Sequence, residues 1–167
     1  AAARLQPLGR IRPAITPRFA VSCSRELLSG AGELARATGW HVQTHLAETQ
    51  REIETVRQLH GDTSYLEVYH RAGLVTPRTL FGPGIWLSDA DHALLSKSGA
   101  TISHCPTANR FLRAGTFDFR RARRAGVNVS LGTDVAGGPD RSMPKVGRAM
   151  LEAAAEHGAN LTGPDVW

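Results

Sequence analysis

The chain has 167 residues, 41% hydrophobic and 21% charged, which allows one sizeable core and excludes a disordered or fibrous composition. No run of about 18 apolar residues occurs, so no transmembrane helix is expected. The net charge of +5 raises nucleic acid as a partner, but the arginines are dispersed, and the one dense group, Arg120-Arg121-Arg123-Arg124, falls on a predicted helix as a solvated face.

Residues 1–20 carry Arg4, Arg10, Arg12 and Arg18 without the apolar stretch of a signal peptide, so secretion is not expected. Two cysteines far apart, Cys23 and Cys105, suggest reduced thiols and a cytoplasmic setting. They also exclude the H-x-E with P-C-x-x-C pattern of the cysteine-ligated zinc deaminases. Neither nucleic acid nor membrane is expected as a partner.

Residues 1–13 read as a loose lead-in, and Ala14–Phe19 as a short strand end. Ser24 caps a predicted helix to about Thr38, with Leu27, Ala31 and Leu34 inward and Gly39 as its stop. His41–Leu46 alternates polar and apolar, as a strand does. Thr49 and Glu52 form a capping box that opens a helix with Ile53, Val56 and Leu59 inward, ending near Gly61. Ser64 and Glu67 form a second capping box, for a short helix stopping at Gly73.

Thr79–Gly82 is the next predicted strand. Ser88 caps a helix with Leu94 and Leu95, ended by Gly99. Ala100–Ser103 is a strand delivering His104, and Cys105–Gly115 reads as a loop. A helix over Phe117–Ala125, a strand over Val127–Leu131, a glycine-rich turn and a helix from Ser142 to His157 complete the pattern. Strands alternate with helices and no hairpin turn occurs, so the strands should be parallel with right-handed crossovers. A full (β/α)8 barrel typically needs about 250 residues. The expectation is therefore a single domain over 1–167, either a small open α/β sheet or part of a barrel.

Chemistry in such folds gathers at the carboxyl ends of strands. Arg18, His45, His104 and Asp134 each follow a predicted strand, and Glu48 stands three residues after His45. Imidazole and carboxylate together suit a divalent ion. His45 is read as a metal ligand and Glu48 as a proton shuttle. Each also has a plainer reading. Asp134 could cap a turn, His104 could be a core histidine, Arg18 a surface residue, Asn109 a loop cap, and Glu48 part of a polar turn. His60, His70, His92 and His157 are read as structural.

His45-Leu-Ala-Glu48, Ser103-His-Cys-Pro-Thr-Ala-Asn109 and Gly132-Thr-Asp-Val-Ala-Gly-Gly138 resemble the motifs of the amidohydrolase superfamily. Thr16-Pro-Arg-Phe-Ala-Val-Ser-Cys23 and Ser142-Met143 narrow the resemblance to the guanine deaminases, over about Pro13 to Met150. The resemblance implies the metal-dependent hydrolase type of (β/α)8 TIM barrel, here roughly strands 4–8, and zinc-dependent conversion of guanine to xanthine and ammonia. By the same resemblance His45 and Asp134 match zinc ligands, with Asp134 also helping to activate water. Glu48 matches the proton carrier, and Arg18 and Phe19 the pair contacting the purine. Guanine is the implied small-molecule partner.

Two departures follow. Nothing matches the family's H-x-H motif on its first barrel strand, and the small β domain is absent. Pro83 stands where the family places a histidine before Gly-x-x-Leu-Ser, and proline offers no side-chain nitrogen. The expectation is an incomplete or catalytically impaired portion, with open edges that favour homo-oligomers. The competing readings are another amidohydrolase-type deaminase and a non-catalytic remnant.

Overall fold

The computed structural model describes residues 11–166, so most of the expected lead-in lies outside the described residues. Five strands form one sheet: β1 (Ala14–Ile15), β2 (His41–Leu46), β3 (Thr79–Pro83), β4 (Thr101–His104) and β5 (Asn128–Leu131). All neighbours are parallel, and their order in space is their order in the chain. A doubly wound sheet reverses its strand order partway. This one never does, so right-handed crossovers bring every helix to the same face. That is the construction of a barrel wall, and it decides between the two expected architectures.

The helices are α1 (Arg25–Thr38), α2 (Gln50–His60), α3 (Tyr65–Arg71), α4 (Asp89–Ser98), α5 (Pro106–Phe111), α6 (Phe119–Arg124), α7 (Met143–Glu156) and α8 (Gly163–Val166). Their ends follow local chemistry. The Ser24 side chain accepts from the Leu27 N–H, and Gly39 ends α1 in the left-handed region that glycine adopts without penalty. Thr49 and Glu52 close the expected capping box on α2. On α3 only half of the box forms: Ser64 accepts from Glu67 N–H, while the Glu67 carboxylate turns to Arg71 and His70. Ser88 and Asp91 make a full box on α4.

The core lies between the sheet and its helices. Along β2, Val42, Thr44 and Leu46 are buried while His41, Gln43 and His45 are exposed. Phe81 and Ile102 continue the buried face on β3 and β4 and meet Leu28, Val56, Tyr69 and Leu95. Each such side chain contributes roughly 1.5–3 kcal/mol by leaving water.

Three expectations are corrected. The inward face of α1 carries Leu28, Gly32 and Ala35, the expected Ala31 and Leu34 pack half-buried against the core, and Leu27 is 55% exposed. The cause is Gly32, where a Cβ would lie 1.7 Å from the Ala72 carbonyl oxygen, so α1 turns its glycine to the end of α3. Leu59 on α2 is also exposed, leaving Val56 and His60 as that helix's buried residues. The loop after His104 contains α5, opened by Pro106 at its first position, where a missing N–H costs nothing. The Arg120–Arg124 cluster is exposed on α6, and its Arg121 pairs with Asp89 at 2.8 Å.

Candidate active site

Strand alternation aims His45 at the open, helix-free face of the sheet, where it follows Gln43. The chain then turns sharply, with Ala47 in the left-handed region (φ 47°). The Ala47 carbonyl accepts from the Ile85 and Trp86 N–H groups, both at 3.1 Å, which holds the turn against β3's exit loop. Glu48 follows, its backbone N–H donating to Glu52 Oε2 at 2.9 Å.

Arg18 and Phe19 lie beyond the short β1, immediately before a 3-10 turn at Ala20–Ser22. The Arg18 carbonyl accepts from His45 Nδ1 at 2.7 Å and from the His45 backbone N–H at 3.3 Å. A carbonyl only accepts, so Nδ1 carries a proton and Nε2 is left as the nitrogen facing outward chemistry. The Phe19 ring stands 5.7 Å from the His45 ring, and the Arg18 guanidinium carbon lies 5.2 Å from the Phe19 centroid.

Asp134 leaves β5 through a turn with φ 48°, and its carbonyl accepts from Gly137 and Gly138 N–H at 3.0 and 2.6 Å. A Cβ at Gly137 would come 2.5 Å from the Asp134 carboxylate, so this position needs glycine for the carboxylate to sit where it does.

These pieces enclose a cavity of about 330 Å³ lined by Arg18, His45, Glu48, Pro83, Cys105 and Asp134 among others, a volume at the small end of ligand sites. Phe19 is not a lining residue; it backs Arg18 and His45. Burial raises the Glu48 carboxyl above its ordinary range, the charges of Glu52 and Asp134 add to this, and His45 opposes it. Burial likewise pushes the Cys105 thiol up to about 11, with the Asp134 charge adding to the effect, so Cys105 stays a neutral thiol.

His104 is not brought to this mouth. It shares the helix-facing side of β4 with Ile102, is 1% exposed, and its ring lies 4.9 Å from that of Phe117 at a tilt of 32°. Burial lowers its pKa to about 3, so it is a neutral core histidine. The strand-end position was readable in the sequence, but the parity of β4 turns the side chain away. Asn109 is buried in α5, where its Nδ2 lies 3.5 Å from His104 Nδ1, and it also lines the cavity. Sequence reasoning missed Gln43, which shares His45's face two residues earlier and was recoverable by alternation. It also missed Cys105, for which no local signal exists. His60 is structural, its Nε2 lying 2.9 Å from the Ala20 carbonyl.

A catalytic zinc takes about three protein ligands. His45 Nε2 and the Asp134 carboxylate have suitable donor chemistry, yet among the described residues no group of three or more His, Cys, Asp or Glu side chains is arranged to hold a metal ion. Pro83 adds no donor to the cavity it lines. These residues do not fit a complete zinc site.

Comparison with known proteins agrees with the architecture. The profile of the amidohydrolase family matches residues 5–162. A probable guanine deaminase of Schizosaccharomyces pombe is 46% identical over 129 residues, covering 77% of this chain and 24% of that protein. The solved guanine deaminase of E. coli superposes with a TM-score of 0.92 at 33% identity, over 96% of this chain and 38% of that one. The guanine deaminase of C. acetobutylicum, solved with bound guanine, gives 0.84 at 37% identity, over 87% of this chain and 35% of that one. The chain thus spans well under half the length of each. A family profile matched along nearly the whole chain, on a wall of five consecutive parallel strands, means that this protein belongs to the amidohydrolase family.

Proposed function

We propose that this chain carries the purine-binding and proton-transfer part of a guanine deaminase, which converts guanine and water to xanthine and ammonia in purine breakdown. The observation that carries the reading is one cavity lined by Arg18, His45, Glu48 and Asp134, in which burial raises the Glu48 carboxyl. The similarity to guanine deaminases supports the choice of substrate.

The chain's own residues divide the work. The Arg18 fork suits the guanine carbonyl, and Phe19, packed behind Arg18 and His45, supports both from outside the cavity lining. Water adds to the ring carbon that bears the exocyclic amine. Glu48 takes one proton from the water and passes it to the neighbouring ring nitrogen; it then takes the second from the added hydroxyl, which becomes the carbonyl, and passes it to the amine, which leaves as ammonia. A raised pKa suits a carboxyl that must both accept and return a proton near neutrality. Zinc is the cofactor expected in the family, with His45 and Asp134 as the two donors this chain offers. Two free cysteines fit a reducing compartment, and we place the protein in the cytoplasm. Among the described residues no helix is long and apolar enough to cross a membrane.

The test is guanine binding and xanthine formation by the purified chain supplied with zinc. The expected result is guanine binding that Arg18→Ala abolishes, with little or no steady turnover. A folded sample that binds no guanine would overturn the substrate assignment. Steady turnover would show that two donors suffice.

A second reading, a non-catalytic amidohydrolase module, is favoured by Pro83 in the cavity wall and by the incomplete donor set. It predicts neither guanine binding nor retained zinc.

A further inference from the structure

Helix α3 contributes no lining residue to the cavity, yet its Tyr69 is connected to the site from behind. Tyr69 is fully buried, and its hydroxyl meets three groups. It donates to the His45 carbonyl at 2.8 Å, accepts from the Ala20 N–H at 3.0 Å, and lies 3.0 Å from Thr44 Oγ1. With Thr44 donating, one proton and two lone pairs match the three partners. Burial raises its pKa to about 12, which keeps it a neutral donor.

The three partners flank the site residues. Ala20 follows Arg18-Phe19, and Thr44 precedes His45. The Thr44 hydroxyl also lies 3.3 Å from the Arg18 carbonyl, the same oxygen that takes His45 Nδ1–H, so its single proton serves either that carbonyl or the Tyr69 hydroxyl. The ladder of β1 and β2 covers only Ala14↔His41 and Ile15↔Val42, and beyond it the backbone link at the site is the long bond from the His45 N–H to the Arg18 carbonyl at 3.3 Å. Tyr65 stacks on Tyr69 with ring centroids 5.4 Å apart, and its hydroxyl accepts from the Ala20 N–H at the longer distance of 3.3 Å, with no hydrogen bond to the end of β2 among the described residues.

We propose that Tyr69 is a positioning residue of this site: its hydroxyl joins the end of β2 to the Arg18–Ala20 segment and sets the placement of His45 against Arg18 and Phe19 for a purine ligand. The ligand part rests on the guanine reading above; the positioning part does not.

The test compares Tyr69→Phe and Tyr65→Phe in the 167-residue chain, by residue-resolved amide hydrogen exchange and by calorimetric guanine binding. Tyr69→Phe should raise exchange at Ala20 and His45 about tenfold, leave Val56 and Leu95 unchanged, and weaken guanine binding about tenfold. Tyr65→Phe should change each by less than about threefold. Unchanged exchange at Ala20 and His45, or a uniform rise across Val56 and Leu95 as well, would make the hydroxyl an ordinary core group and overturn the proposal. If the wild-type chain binds no guanine, the guanine reading falls by itself, and the exchange pattern still decides the role of Tyr69.

Discussion

Glu52 grips Glu48 by the backbone and repels it at the side chain. Glu52 Oε2 accepts the Glu48 N–H at 2.9 Å and the Thr49 N–H at 3.3 Å, completing the cap of α2. The same negative charge helps raise the Glu48 carboxyl, second to burial. One residue therefore starts a helix and tunes the candidate proton carrier.

Glu52→Gln separates these two roles. The amide oxygen can still accept both N–H groups, so stability should fall by no more than about 1 kcal/mol. The charge is gone, so the Glu48 carboxyl should titrate lower than in the wild type, though still above the ordinary range because burial remains. Carboxyl-carbon NMR titration measures this, and an unmoved Glu48 would mean that the Glu52 charge does not tune it.

Two glycines on α1 should respond to alanine with opposite signs. At Gly30 an added Cβ meets nothing within 4 Å, and Gly30→Ala should stabilise by about 0.5–1 kcal/mol through helix propensity. At Gly32 the Cβ would meet the Ala72 carbonyl, and Gly32→Ala should destabilise by about 3 kcal/mol as α1 and α3 are forced apart. Urea unfolding of both variants checks the pair.

Buried His104 makes stability depend on acid. Its folded pKa is depressed from 6.5 to about 3, so between those values the unfolded chain binds a proton that the folded chain refuses. Its contribution is complete above about pH 6.5 and is lost as pH falls, by at most about 1.4 kcal/mol per pH unit. His104→Gln cannot titrate, so its stability should fall less steeply between pH 6.5 and 4. Denaturant midpoints across that range decide it, and parallel wild-type and variant curves would refute the assignment.

Pro83 tests the donor set. Pro83 lines the same cavity as His45 and Asp134, and if an imidazole at that position completes the donor set, Pro83→His should retain more zinc after dialysis than the wild type. Metal analysis of the two proteins reads it directly. Equal zinc in both would mean that position 83 does not reach a shared metal position with the other two.

The sheet's edges predict self-association. Among the described residues β1 and β5 each pair on one side only, and the helix-free face exposes Gln43 and His45. Unpaired parallel edges are templates for another chain. Sedimentation velocity should show oligomers, and a monodisperse monomer would contradict this.

Much of the framework was legible because it is local. The β2 alternation, the Thr49–Glu52 box, the Ser24 and Ser88 caps and the glycine stops of α1 and α4 each depend on residues within one or two turns. So does the absence of hairpin turns, which made all five strands parallel. His45, Glu48 and Asp134 could be picked out as polar residues at strand ends for the same reason. What the linear order left open was direction and partnership across distance. His45 and His104 looked equivalent, and only the parity of β2 and β4 against one shared core sent the first to the cavity and the second under Phe117. Leu27 and Leu28 were equally apolar, and the close approach of Gly32 to Ala72 chose between them. Tyr69 reaches Ala20 across 49 positions in the chain, a contact that exists only once the crossovers have stacked α3 behind β2, and no local pattern encodes it.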